Sequence, residues 1–352
     1  MTQFRRFSLT AYQAPLCETV VDLPVPQGTE VLVRIERCGV CHSDLHMQDG
    51  YFTLGDGKTL DVRAGRTLPF TLGHEIAGTV GRLGPQATGI APGARVAVFP
   101  WIGCGACAAC TAGEENLCLA NCHLGVSADG GFASHVLVPH PRYLIDYAPL
   151  SPSFAGALMC SGLTAYSALK RLTAHAARGP ALLIGMGGVG MMGLAIARAL
   201  FPHAPIVADI DAGKREAALK AGAAAAYDPA DREARRALLK ATAGGVFAAC
   251  DFVGSEQSLA FATGALAKGG KVVVTGLLGG NFPLPAAMFV LKAMTVEGTL
   301  TGTLQEAQEL MALAKAGRLA PPPMTERPLS EVQSALDDLR GGRVVGRIML
   351  VA

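Results

Sequence analysis

The chain has 352 residues, 50% of them hydrophobic and only 16% charged, with a formal net charge of +2. That balance supports a sizeable core and excludes a disordered chain, and so small a positive excess excludes the broad basic field of a nucleic-acid binder. The N-terminus, MTQFRRFSLTAYQ, has no apolar stretch behind its arginines, and no run approaches the roughly eighteen apolar residues of a bilayer span, so neither a secretory leader nor a membrane segment is expected.

The first 150 residues read as β-rich. EVLVRIERCGV (30–40), HEIAGTVGRLG (74–84), ARVAVFP (94–100) and FASHVLVPH (132–140) cluster or alternate apolar residues between glycine and proline punctuation. From about residue 153 the texture changes. SFAGALMCSGLTAYSALKRL (153–172) is helix-like, and after it short apolar strands alternate with alanine-rich helical patterns: PALLIGMGGVGMMGLAIARAL, PIVADID, REAALKAGAAAAYDP, FAACDFVGS, KGGKVVVTGLL and AMTVEGTL. This alternation predicts a parallel sheet wound by helices, an α/β Rossmann-type doubly wound domain. Two amphipathic helices follow. Thr303-x-x-Glu306 and Ser330-x-x-Gln333 both read as capping boxes, Gly341 and Gly342 stop the last helix, and RVVGRIMLVA forms a final strand. The expected organisation is a β-rich domain over 1–161, a helix-wound parallel-sheet domain over 162–295, and a return of the chain to the first domain over 296–352.

The ten cysteines carry the sharpest signal. A chain this large without an export signal is expected in a reducing, cytoplasmic setting, where thiols serve metals rather than disulfides. Cys104, Cys107, Cys110 and Cys118 stand as C-x2-C-x2-C-x7-C in the stretch of about 100–122. Four thiolates close a tetrahedral Zn2+ site and leave no position for substrate, so this ion is structural. Cys41, His74 and Cys160, in GVCHSDLH, TLGHEIAG and LMCSGLTAY, are candidates for a second Zn2+. Two thiolates and one imidazole leave the fourth position open, as catalytic zinc requires. Their separation in sequence means that spacing alone does not assemble them. Cys17, Cys38, Cys122 and Cys250 belong to no motif and are expected to be small buried hydrophobes.

Gly185-x-Gly187-x-x-Gly190 lies between the strand-like LLI and a helical run, where a dinucleotide fingerprint must lie. With Gly188 and Val189 it forms a turn whose backbone approaches a pyrophosphate at a helix N-terminus. Asp209 ends the strand PIVAD at the position of a ribose-binding carboxylate, which favours NAD over NADP; Asp211 is the competing candidate. Lys214 and Arg215 are nearby cations that keep NADP use open.

GVCHSDLH, GHE, the four-cysteine lobe and the late glycine fingerprint occur together in this order. The combination resembles the zinc-dependent medium-chain alcohol dehydrogenase family from about residue 30 to the C-terminus. The resemblance implies a GroES-like catalytic domain beside the Rossmann-type domain, two Zn2+ per chain and NAD. It implies that Cys41, His74 and Cys160 hold the catalytic zinc and that Glu75 stands near the metal. It implies that Asp44 orients a ligand histidine, and that Ser43 and His46 relay the alcohol proton to solvent. Residue type alone leaves Ser43 as a turn hydroxyl, Glu75 as an ion-pair member and His46 as a surface histidine. The resemblance further places His42 and Arg347 on the pyrophosphate, and Gly276 and Leu277 in a loop facing the nicotinamide amide.

The implied activity is reversible oxidation of an alcohol to an aldehyde or ketone. A related polyol dehydrogenase or carbonyl reductase is the alternative, although polyol enzymes often lack the four-cysteine lobe; a non-catalytic zinc- or cofactor-binding relative is the third. Tyr51, Phe52 and Trp101 are candidates for an apolar pocket and equally for core packing. The expected partners are a small-molecule alcohol or carbonyl and further copies of the chain, as homodimer or homotetramer.

Overall fold

The computed structural model describes residues 3–352. The chain forms two compact units. One comprises Met1–Tyr51, Asp61–Leu163 and Gly302–Ala352, and the other Phe52–Leu60 and Thr164–Thr301.

In the first unit the predicted strands become Val31–Gly39, Glu75–Leu83, Arg95–Val98 and His135–Val138. Val31–Gly39 is the hub of a seven-stranded sheet. It pairs antiparallel with Glu75–Leu83, and Gly39 lies opposite Glu75. It also pairs with His135–Val138 at one end and with Arg347–Val351 at the other. This register places the chain just after residue 39 beside the chain just before residue 75, although the two are distant in sequence. A smaller sheet of Cys17–Asp22, Gln3–Leu9 and Phe70–Thr71 completes the β-rich half.

The helix-like segment after Ser151 is not a regular α-helix. Pro152–Ala157 and Leu163–Lys170 are α-helical, and the turn Leu158–Gly162 between them is a π-turn. The extra residue of such a turn re-aims side chains, and Cys160 lies within it.

The second unit holds a six-stranded parallel sheet. Taken in chain order, the strands Leu182–Ile184, Ile206–Ala208, Ala225–Tyr227, Val246–Asp251, Leu266–Val274 and Thr295–Gly298 lie side by side in the order 3-2-1-4-5-6. Their residues are apolar on both faces because helices cover both; Leu182, Ile184, Ala208, Ala249 and Val272 pack with Phe261 and Leu266 in one core. The order reverses between Leu182–Ile184 and Val246–Asp251, and ligands bind at such a reversal. Phe52–Leu60, most of the hairpin of Tyr51–Gly55 and Lys58–Asp61, belongs to this unit. Gly55 lies against Gly280 and Asn281, Gly279 lies against Thr53, and Asn281 donates to Asp56.

Three expectations need correction. Thr303 and Glu306 form the predicted capping box, with reciprocal bonds of 3.1 and 3.0 Å. Ser330 and Gln333 do not, because the last helix begins at Val332. The Gln333 carboxamide instead accepts from Leu16 N–H at 2.9 Å and from Gln48 at 3.0 Å. Cys38 and Cys250 are buried as expected, whereas Cys17 and Cys122 are exposed. Cys17 opens a strand that pairs on one side only. The final strand starts at Arg347 rather than Arg343, since Gly346 has φ +82° and turns the chain into it.

Candidate functional site

Cys41, His74 and Cys160 converge in the first unit. Their ligand atoms all lie within 4.8 Å of one another, and all three residues are buried. Cys41 is the N-cap of the helix His42–Asp49, His74 immediately precedes the strand Glu75–Leu83, and Cys160 comes from the π-turn.

Asp44 ties the first two together. It is fully buried. Its Oδ2 accepts the Cys41 N–H at 2.9 Å, reaching back from the third helical position as in a capping box. Its Oδ1 accepts the Gly73 N–H at 3.2 Å and lies 3.3 Å from His74 Nδ1. A carboxylate at that distance favours the ring proton on Nδ1, and with it an Nε2 lone pair directed at a metal. Both His74 ring nitrogens are buried, and neither makes a hydrogen bond of good geometry among the described residues. The Cys41 and Cys160 sulfurs are 3.9 Å apart. Two thiolates on one tetrahedral Zn2+ stand about 3.8 Å apart, so the donor set fits that ion. The two sulfurs share one hydrogen bond in which either can donate; that interaction holds Cys41 well below the usual thiol range and, with burial, pushes Cys160 up.

Glu75 lies behind this set. Its Oε1 accepts the Ser161 N–H at 3.2 Å and pairs with the buried Arg347 guanidinium. Burial raises the Glu75 carboxyl against the pull of Arg347. Glu75 Oε2 has no hydrogen-bond partner among the described residues. The facing Gly39 is required, because any side chain there would run into Glu75.

Ser43 Oγ lies 3.8 Å from Cys41 Sγ, and His46 stands one turn further along the same helix. His46 is half-buried. Desolvation, then His42, hold its pKa below the usual 6.5. His42 is exposed in the first turn. Trp101 is buried against the metal set. Its Nε1–H donates to Met159 C=O at 3.0 Å, and its ring lies 5.4 Å from that of His74. Of the three aromatic pocket candidates Tyr51 is exposed and Phe52 falls in the other unit.

The four-cysteine lobe is assembled as its spacing implies. Sulfur separations are 3.9 Å for Cys104–Cys110, 3.5 Å for Cys107–Cys110 and 3.7 Å for Cys107–Cys118, again tetrahedral spacings. Backbone N–H groups of Ala106 and Cys107 bring the Cys104 thiol down to about 6. Glu115 anchors the lobe. Its carboxylate accepts from Gly103 N–H at 3.0 Å and the Tyr143 hydroxyl at 2.7 Å, and pairs with Arg142 at 2.8 Å. Nothing in GEENLC separated this glutamate from its neighbour.

In the second unit the glycine loop follows the strand Leu182–Ile184. Gly185 has φ +87°. A side chain at Gly190 would strike the Gly185 carbonyl, whereas one at Gly187 would meet nothing within 4 Å, so the loop's outer side is open to a ligand. The helix Gly188–Leu200 starts here, and its first internal bond is Met191 N–H to Gly187 C=O at 2.9 Å. The N–H groups of Gly188, Val189 and Gly190 thus have no acceptor within the helix, which suits a pyrophosphate.

Asp209 follows the adjacent strand. Its Oδ2 accepts Met186 N–H at 2.6 Å and its Oδ1 accepts Asp211 N–H at 2.8 Å, which locks the carboxylate beside the glycine loop. Asp211, the competing candidate, is instead the N-cap of the next helix and accepts Lys214 N–H at 2.9 Å. Lys214 is half-exposed in that helix's first turn.

Gly276 and Leu277 lie past the strand Leu266–Val274, in a loop fastened by a residue that sequence reasoning missed. The Asp251 C=O accepts from Thr275 and Gly276 N–H at 2.9 and 3.2 Å. Its carboxylate accepts from Val253 N–H, Gly254 N–H and the Ser258 hydroxyl at 2.9, 3.2 and 2.7 Å. Burial nevertheless raises its pKa. An acidic residue closing an apolar strand was the available signal.

A family model described as "Alcohol dehydrogenase GroES-like domain" matches residues 27–148, and one described as "Zinc-binding dehydrogenase" matches residues 188–316. The chain is 36% identical over 348 residues to an NAD-dependent alcohol dehydrogenase of Sulfurisphaera tokodaii, covering 99% of each chain. Among solved structures it resembles the alcohol dehydrogenase of Aeropyrum pernix, with 30% identity, a TM-score of 0.87 and coverage of 99% and 100%. It also resembles the D-arabinose dehydrogenase of Sulfolobus solfataricus, with 26% identity, a TM-score of 0.86 and full coverage of both chains.

Removing one thiolate tests the closed lobe. Cys107→Ser is expected to lower zinc content from two ions per chain to one and to reduce Tm by several degrees, read by atomic absorption and calorimetry. A folded variant retaining both ions overturns the assignment.

Proposed function

The chain belongs to the zinc-dependent medium-chain alcohol dehydrogenases, and on that premise we propose that it catalyses the reversible oxidation of an alcohol to an aldehyde or ketone with NAD. The observation that carries this reading is the buried set of two sulfurs and one imidazole nitrogen in reach of a single ion. Three protein ligands are the mark of a reactive rather than a structural zinc.

Cys41, His74 and Cys160 would hold the catalytic zinc, and the four-cysteine lobe the structural one. The glycine loop would hold the NAD pyrophosphate, Asp209 and Lys214 the adenosine ribose, and the backbone of Gly276 and Leu277 the nicotinamide amide. Bound there, zinc supplies Lewis acidity towards the substrate oxygen and NAD supplies the hydride acceptor. The protein's own groups do the rest. Asp44 keeps His74 in the tautomer that presents Nε2. Ser43 Oγ takes the proton of the alcohol hydroxyl and passes it towards the His46 ring, which releases it to solvent. The lowered pKa of His46 keeps that ring neutral and ready to accept. Glu75 Oε2, which accepts from no donor among the described residues, would be the carboxylate oxygen available near the metal during ligand exchange. For His42 and Arg347 the pyrophosphate role rests on the resemblance; the contact described above for Arg347 is with Glu75.

A second reading, oxidation of a sugar or polyol, draws on the likeness to D-arabinose dehydrogenase. The two readings share every site residue and differ only in the substrate.

We place the enzyme in the cytoplasm, because two thiolate sets need a reducing environment. No helix among the described residues is long and apolar enough to cross a membrane. We further propose a homodimer or homotetramer built on the second unit. There Thr295–Gly298 is an edge strand, and Val296, Phe289, Val290 and Leu291 are exposed beside it. Such an unprotected apolar edge is a template for pairing with a second copy.

A panel of primary, secondary and sugar alcohols with NAD and NADP tests the activity through the absorbance of the reduced coenzyme. Turnover of simple alcohols with NAD is expected. Protein that holds two zinc ions and binds NADH yet turns over no alcohol or carbonyl overturns the reading. Alcohol oxidation is expected to fall as pH drops through the lowered His46 pKa, since a protonated ring accepts nothing. In His46→Gln that acid limb should disappear and kcat should drop about ten-fold. Val290→Asp combined with Val296→Lys is expected to yield monomers by analytical ultracentrifugation; an unchanged sedimentation coefficient places the interface elsewhere.

A further inference from the structure

We propose that the Arg215–Asp228 ion pair is a second determinant of coenzyme choice, in which Asp228 withholds the Arg215 guanidinium from the 2′-phosphate of NADP. The inference rests on the reading of Asp209 as the ribose-binding carboxylate.

The sheet register brings the three residues together. Ile206–Ala208 and Ala225–Tyr227 are parallel neighbours with Ala208 opposite Tyr227, so Asp209 and Asp228 leave the sheet side by side. The Asp209 N–H donates to Tyr227 C=O at 3.2 Å. Arg215 reaches across from the helix Ala212–Lys220. Its Nη1 donates to Asp209 C=O at 2.7 Å and to Asp228 Oδ2 at 3.1 Å. A guanidinium is thus seated on the backbone of the residue whose carboxylate would bind the ribose. Asp228 is held in turn, because its Oδ1 accepts the Ala230 N–H at 2.9 Å. The Arg215 and Asp228 side chains are 22% and 32% exposed, which leaves the pair open to a ligand and to salt.

A cation at this place would ordinarily recruit phosphate, for which the guanidinium fork is well matched. Two features oppose that. Asp209 repels the 2′-phosphate directly. Asp228 occupies Arg215 and makes the local balance one of three carboxylates, Asp209, Asp211 and Asp228, against the two cations Lys214 and Arg215. Neutralising Asp228 leaves two against two, and frees Arg215 while Asp209 C=O still holds it in place. A half-exposed ion pair contributes little to stability, so the folded unit should tolerate its loss.

The test compares kcat/KM for NADP and NAD, and NADPH and NADH dissociation constants by fluorescence titration, in D228N, D228N/R215A, D209G and D209G/D228N. D228N is expected to raise NADP use relative to NAD about three- to five-fold, to tighten NADPH binding in parallel, and to lose that gain as salt rises. D228N/R215A should return the ratio to its starting value. D209G/D228N should shift the ratio beyond D209G alone, which itself should lower the NAD preference about ten-fold or more. An unchanged ratio in D228N, or a gain that survives loss of Arg215, overturns the proposal. An unchanged ratio in D209G overturns only the ribose reading, because D228N against D228N/R215A decides the ion pair separately.

Discussion

Asp44 is the group on which the open metal set depends. Cys41 lies after one strand of the seven-stranded sheet and His74 before its neighbour, so the antiparallel register brings their backbones close. Closeness is not alignment. One buried carboxylate takes the N–H of Cys41 with one oxygen and the N–H of Gly73 with the other, which also stands 3.3 Å from His74 Nδ1. A carboxylate with no exposure is costly unless every lone pair is used, and here its partners are the groups that must be oriented. The third ligand arrives by a different device. Cys160 sits in a π-turn between helical segments, the preceding Met159 carbonyl is held by Trp101, and the following Ser161 N–H is held by Glu75.

The second unit repeats the principle with different residues. Asp209 follows one strand of the parallel sheet and Asp251 ends another, and each directs its carboxylate at backbone N–H groups of nearby loops. Asp209 holds Met186 inside the glycine loop, and Asp251 fastens the segment that leads to Gly276. Glu115 does the same for the four-cysteine lobe. In each case a buried or half-buried acid fixes the shape of backbone that would bind a ligand, and the ligand-binding atoms are preorganised rather than induced.

Much of this was legible in the residues. The lobe needed only local spacing, because four cysteines within one loop must lie near one another wherever the loop goes. The glycine fingerprint was equally local: Gly185 takes φ +87° and Gly190 lies against the Gly185 carbonyl, both within the turn itself. Thr303 and Glu306 formed their capping box for the same reason. Ser330 and Gln333 had the same spacing and did not, because a distant N–H, that of Leu16, competed for the Gln333 side chain. A local motif holds only while no long-range partner offers a better bond. Cys17 and Cys122 show the same limit, since the burial of a cysteine depends on what packs over it and not on its own chemistry.

The sequence by itself determined the ligand types, the closed lobe, the strand–turn–helix of the glycine loop and the alternation that builds a parallel sheet, because each is encoded by neighbours along the chain. Tertiary structure alone decided that Cys41, His74 and Cys160 meet, that Arg347 pairs with Glu75, that Asp211 caps a helix while Asp209 faces the loop, and that Asp228 engages Arg215. Those outcomes follow from sheet register and from the competition of buried polar groups for partners, and both are set by segments far apart in the chain.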